Sequence, residues 1–170
     1  MRVPQFLSDR HIPFETVIHP PAFTAQKRAR FLRVPGKQVA KCVLLAGPDS
    51  YLLAVLPATH YIDLEAVARV VGVEVRLAED GEIAEVFRDC EWGVTAPFGT
   101  LYGLQTLLDD SLDPDALMVF EAHSHALAIR MRCRDFEQLE KPRRFRFALT
   151  HPQQRSAAPP AAKLHANGAM

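Results

Sequence analysis

Two apolar runs, Cys42–Ala46 and Tyr51–Leu56, constrain this chain more than any other feature. The quartet Gly47-Pro48-Asp49-Ser50 lies between them. Gly and Pro interrupt a strand, and Asp and Ser bond back to their own backbone, so the segment predicts a hairpin with a four-residue turn. Shorter apolar runs follow at Val73–Leu77, Thr106–Leu108, Leu117–Phe120 and Ala126–Met131, with Phe14, Val17 and Ile18 before them. All are expected to be strands.

Helical signals fall between these runs. Pro4–His11 is a short amphipathic candidate, with Phe6 and Leu7 as its apolar side. Thr24 is a good N-cap for Ala25–Leu32, and Pro35-Gly36 is expected to end that helix. Asp63 caps a helix through Val71 that stops at Gly72; Ile83–Phe87 and Arg134–Leu139 belong to two more. Arg88–Gly103, rich in Gly, Pro and aromatics, reads as an ordered loop. Helices and strands interleave, but hairpins dominate. The pattern therefore predicts one compact α/β domain with a mixed, mostly antiparallel sheet or a partly closed barrel, surrounded by helices.

A chain of 170 residues suits one domain, and 48% hydrophobic residues can fill a core, which excludes full-length disorder. The domain is expected over residues 1–149. From Thr150 the sequence turns to Ala and Pro without apolar periodicity, so 150–170 is expected to be a disordered tail. No apolar run approaches the ~18 residues of a membrane span. The N-terminus carries no secretory pattern. Cys42, Cys90 and Cys133 are too few and too far apart for a disulfide framework or a zinc spacing. A reduced, cytoplasmic setting without a membrane partner is the expectation.

The 20 basic and 20 acidic residues cancel, yet their order is uneven. Thr16–Pro48 holds six bases and no acid, Ile62–Glu121 three bases and fourteen acids, and Arg130–Arg146 seven bases and three acids. The two basic stretches are either solvated faces or a local patch for phosphates. Neutrality argues against long, nonspecific contact with nucleic acid, but not against such a patch.

Lys41 stands inside an apolar strand, Val39–Leu45. A lysine there either extends its ammonium to solvent or points it into a pocket as a cation for phosphate or carbonyl. Alternation would then turn Cys42 to the core. Gly93-Val94-Thr95-Ala96-Pro97-Phe98-Gly99 is either a plain tight turn or a loop that presents backbone N–H groups. Asp109 and Asp110 end a strand, where acids most often cap the next turn. His123 and His125 share one side of a strand and with His60 could be metal ligands, but no zinc-site pattern supports them. No P-loop, GxGxxG or GxSxG is present.

Thr24-Ala25-Gln26, Val39-Ala40-Lys41, Val55-Leu56-Pro57, Gly93-x-x-x-Pro97-Phe98-Gly99 and Leu108-Asp109 occur in the order found in the YbaK/ProX family. The chain resembles that family over roughly residues 1 to 149. Its members are aminoacyl-tRNA deacylases, also found as the editing insertion of bacterial prolyl-tRNA synthetases. The resemblance implies a freestanding, cofactor-free hydrolase for the ester of mischarged tRNA, gripping the acceptor end and associating with a synthetase. It implies catalytic roles for Lys41, Gly93 and Pro97, and substrate contacts from Thr24, His60, Ala96, Phe98, Gly99, Asp109 and His125. Lys41 would hold the terminal phosphate or ribose, while loop amides steady the ester carbonyl. Asp89 stands where the family often has glycine, Trp92 stands near a family proline, and Glu121–His125 replaces a glycine-containing segment. The alternatives are a non-catalytic module that binds tRNA, a synthetase or a nucleotide in the same pocket, and a metal hydrolase.

Overall fold

The computed structural model describes residues 2–152, so the expected tail lies outside the described residues from 153 onward. Helix α1 (Val3–Asp9) has Pro4 in its first turn, where the missing N–H costs nothing, and buries Val3, Phe6 and Leu7. Strand β1 (Glu15–Ile18) leads to α2 (Ala25–Leu32). Thr24 Oγ1 accepts from the Lys27 amide at 3.1 Å, the N-cap that the sequence predicts. Helix α2 ends at Arg33, in the left-handed conformation (φ 52°), before the expected Pro35-Gly36. Val34 precedes a proline and is biased away from helical backbone, so the break falls upstream of the ring.

The expected hairpin forms as β2 (Ala40–Ala46) and β3 (Tyr51–Pro57), with Ala46 opposite Tyr51. Strand β4 (Tyr61–Ile62) precedes α3 (Leu64–Val71), whose Asp63 cap accepts from the Ala66 amide at 3.0 Å and whose end is Gly72 at φ 83°. Of the expected Val73–Leu77 strand only β5 (Arg76–Leu77) forms, because it pairs with β2 solely at Leu45 and Ala46. Then follow α4 (Asp80–Val86), β6 (Gln105–Asp109), β7 (Leu117–Ala122), β8 (Ser124–Arg132), α5 (Cys133–Glu140), β9 (Arg143–Phe145) and β10 (Ala148–Leu149). The short β4, β9 and β10 were not anticipated: two or three residues carry no readable periodicity.

Among the described residues there are three sheets. One is mixed, in the order β5-β2-β3-β6-β9, one antiparallel, β1-β8-β7, and one a pair, β10-β4. Strands β3, β6 and β9 run parallel, and the other pairings are antiparallel. The mixed α/β domain is as expected. The sheets do not close into a barrel; a single bridge, Val39–Val119, joins β7 to the residue before β2.

Period-two alternation puts both faces of the five-stranded sheet to use. Ala40, Val55 and Leu108 pack with Phe98, Phe120, Ile129 and Phe136, beneath α1 and α5. Leu45, Leu56 and Leu107 pack on the other face with Val67 and Phe147. Burying so many large apolar side chains, each worth about 1.5–3 kcal/mol, drives the two sheets together.

Candidate functional site

Because β5 reaches only Leu45 and Ala46, the first half of β2 has β3 on one side and no strand on the other. A cavity of about 240 Å³ lies over this open edge. Thr24 and Gln26 from α2 and its cap, Lys41 and Cys42 from β2, Gly93 and Thr95 from the loop, and Glu121 from β7 line it. Thus Thr24, Lys41 and Gly93, 69 residues apart at the extremes (93 − 24), converge on one cavity.

Lys41 and Cys42 point to opposite faces of β2, as alternation requires. The Lys41 ammonium donates to the His60 carbonyl and lies 5.5 Å from the centre of the Tyr61 ring. Among the described residues no carboxylate pairs with it, and burial lowers its pKa from the ordinary lysine value. Cys42 packs against the core, as expected, and also reaches the cavity wall. The cavity sits on a strand edge and so takes residues from both faces, and Cys42 meets Thr95 across it. Burial pushes its thiol up to about 12, which keeps it protonated and a poor nucleophile.

The Gly93–Gly99 loop divides into an exposed rim and a buried root. Gly93 has φ 80°, a conformation that costs a non-glycine residue about 1–2 kcal/mol. The Val94 amide closes a turn onto Glu91 O at 2.9 Å. The amides of Gly93 and Thr95 have no acceptor among the described residues. Ala96, Pro97, Phe98 and Gly99 are buried at the root of the loop, where they set the rim's height. The Phe98 ring meets Phe6, Phe120 and Phe136 at 5.5, 5.8 and 5.1 Å between centroids. At Gly99 a Cβ would collide with Thr106 Oγ1 and lie 2.9 Å from the Leu104 carbonyl. Glu140, buried on α5, accepts from the Thr100 amide (3.0 Å), the Thr100 hydroxyl (2.7 Å) and Thr106, and so ties the root to the core.

His125 stands one residue behind the cavity wall. Its ring nitrogens contact Glu121 Oε1 at 3.0 Å and the Trp92 carbonyl at 2.9 Å, and the Phe23 ring lies 4.6 Å from its centre. Two expected contacts lie elsewhere. His60 and Asp109 line a second cavity of about 400 Å³, and the His60 carbonyl accepts from Lys41 of the first. Asp109 is fully buried and its oxygens are spent on the protein: Oδ2 accepts from the Phe147 and Ala148 amides, each at 2.7 Å, and Oδ1 from Ser111. It caps its own turn at Ser111 and holds the backbone at Phe147 and Ala148.

The three histidines proposed for metal do not converge. The one candidate group among the described residues is Asp89, Cys90 and His123. His123 Nε2 accepts from the Val3 amide at 2.9 Å, which places the ring proton of neutral imidazole on Nδ1, facing Cys90 at 3.3 Å. A protonated Nδ1 cannot ligate, so this group fits a metal poorly.

Sequence reasoning missed two wall residues, Arg28 and Glu121. Arg28 is 3% exposed and pairs with Glu121, and its second contact is the Ala22 carbonyl at 3.1 Å. Its signal was available: with Ala25 and Ala29 it occupies the buried side of α2. Glu121 gave only the departure from the family pattern at Glu121–His125, since its ion-pair partner Arg28 lies 93 residues upstream. The other bases of the first stretch, Lys27, Arg30, Arg33 and Lys37, are exposed and have no ion pair among the described residues. In the second stretch Arg130, Arg134 and Arg144 are neutralised by Glu15, Asp115, and Glu137 with Asp110.

The fold matches solved structures across most of its length. The hypothetical protein APE2540 aligns with a TM-score of 0.81 at 15% identity, over 88% of this chain and all of that one. A proposed trans-editing enzyme for prolyl tRNA synthetase aligns with a TM-score of 0.74 at 22% identity, over 87% and 95%. A proposed signal transduction protein from Marinobacter aquaeolei VT8 aligns at 0.68 and 23% identity, over 86% of this chain but 30% of that one. Identities this low speak to the fold alone. No curated protein matches in sequence. The aminoacyl-tRNA editing domain family matches residues 19–139, a span that contains every residue of the edge cavity. The chain belongs to the aminoacyl-tRNA editing domain family.

Proposed function

We propose that this chain hydrolyses, in trans, the ester that joins a wrong amino acid to the end of a tRNA. The observation that carries this reading is the pairing of Lys41, a cation without a carboxylate, with the unused Gly93 and Thr95 amides on one small cavity. Lys41 holds the terminal phosphate or ribose of the acceptor end. The two amides donate to the ester carbonyl and stabilise the negative charge it gains as water adds. The water oxygen forms the new bond to carbon, the carbon–ribose oxygen bond breaks, and the proton passes to the departing ribose oxygen. A water nucleophile suits a cavity whose cysteine thiol stays protonated. The exposed bases Lys27, Arg30, Arg33 and Lys37 give the acceptor end a local patch.

The cavity volume of about 240 Å³ favours a small aminoacyl group, although size exclusion in one pocket is modest. A cytoplasmic setting and a synthetase partner belong to this reading; no helix among the described residues is long and apolar enough to cross a membrane. The test is deacylation of a panel of mischarged tRNAs by the wild type and by Lys41→Ala. Hydrolysis of at least one, reduced tenfold or more in the variant, is expected. No hydrolysis of any, or equal rates, refutes the reading. Tight tRNA binding without turnover would identify a binding module.

A further inference from the structure

Glu121 holds a position that hydrolysis by Lys41 and the loop does not use. Strand alternation buries Phe120 and Ala122 and turns Glu121 the other way, and a bulge at Glu121–Ala122 breaks the register with β8. Bulges beside sites commonly re-aim one side chain. Arg28 and His125 both bond to the same carboxylate oxygen, Oε1. The second oxygen, Oε2, has no partner among the described residues, and the side chain keeps 15% of its surface open in the cavity wall. Both ring nitrogens of His125 are occupied, one by Glu121 and one by the Trp92 carbonyl, so the carboxylate is held from behind and cannot swing away. A lone, fixed carboxylate oxygen only accepts, and what it accepts best at short range is an N–H of a cation.

The cavity is polar in a definite direction. The Lys41 ammonium belongs to the face of β2 that meets His60 and Tyr61, and Glu121 belongs to the opposite side, with Arg28 and Thr95. An aminoacyl ester has a matching polarity: phosphate and ribose at one end, a primary ammonium at the other.

We propose that Glu121 Oε2 receives the α-ammonium of the aminoacyl group, so that the site selects esters whose amine is free and rejects N-acylated ones. This rests on the aminoacyl-ester reading above. Arg28 and His125 are positioning residues that present the oxygen. A blocked amine would offer one amide N–H without charge and place an acyl group against the carboxylate, leaving Oε2 without a charged partner.

The test measures binding, so that it does not depend on turnover. The probes are a stable 3′-aminoacylamido adenosine and its N-acetyl form, titrated calorimetrically into the full chain, beside hydrolysis of the matching aminoacyl- and N-acetylaminoacyl-tRNA. The wild type is expected to bind the free amine at least tenfold tighter, and Glu121→Gln to erase the difference by weakening the free amine alone. Since Glu121→Gln leaves Arg28 buried beside a neutral amide, Arg28→Met with Glu121→Gln is the second variant, and it too should bind both probes equally. Equal binding of both probes by the wild type overturns the assignment and leaves the deacylase reading intact. Equal loss on both probes in Glu121→Gln also overturns it, and points to general-base or structural work instead. Selective binding without hydrolysis of either ester upholds the assignment and refutes the deacylase. Failure to bind either probe overturns the assignment, while hydrolysis of the two tRNA esters decides the deacylase reading separately.

Discussion

Replacing Asp109 by alanine should unfold this protein more readily without touching its ligand site. The Asp109 carboxylate is fully buried, and its Oδ2 holds the Phe147 and Ala148 amides, each at 2.7 Å. Those residues are 1% and 7% exposed, so water cannot replace the lost acceptor. Each orphaned amide costs about 1–3 kcal/mol, which together gives about 4 kcal/mol. The Ser111 donors face solvent and add little. With a urea m-value of about 2 kcal/mol/M, the midpoint should fall by about 2 M, and Tm by about 8–16 °C. Asp109→Asn should lose roughly half as much, since one amide oxygen can still serve Phe147 and Ala148. Urea titration followed by circular dichroism measures both. A midpoint within about 0.5 M of wild type would refute the reasoning, because the two amides would then have another acceptor. A raised KM at unchanged stability would return Asp109 to the substrate site.

Gly93→Ala should cost about 1–2 kcal/mol from its positive φ and at least tenfold in deacylation; activity at the wild-type level would separate the loop amides from catalysis. Glu140→Ala should destabilise by about 3 kcal/mol, since it strips three donors of a buried acceptor, and a loss below about 1 kcal/mol in urea unfolding would refute the link from α5 to the loop root. Burial raises the folded thiol of Cys42 to about 12 from an ordinary 9.0. Its contribution is therefore complete below pH 9 and declines as pH climbs toward 12. Wild type should lose stability relative to Cys42→Ala between pH 8 and 10.5, and a constant difference counts against the burial. Binding of tRNA should weaken with salt, and Lys27→Ala with Arg30→Ala should make the log–log slope shallower; a flat response argues against phosphate contacts.

What could be read from the residues is local. The Thr24 and Asp63 caps, the β2–β3 hairpin and the glycine stop at Gly72 follow from contacts within a few residues, and the chain carries both partners side by side. The motif order around Lys41 and Gly93 pointed to the same family that the match over residues 19–139 establishes. Tertiary structure decided the rest. Phe98 and Gly99 look like loop residues on paper but are packing residues, because the aromatic ring finds Phe6 and Phe136. Asp109 became a cap for amides 38 and 39 residues away, and Arg28 left the basic stretch to meet Glu121, 93 residues on. A charge inside a sequence has no fixed meaning until burial sets the cost of leaving it unpaired, and only the folded chain sets that cost.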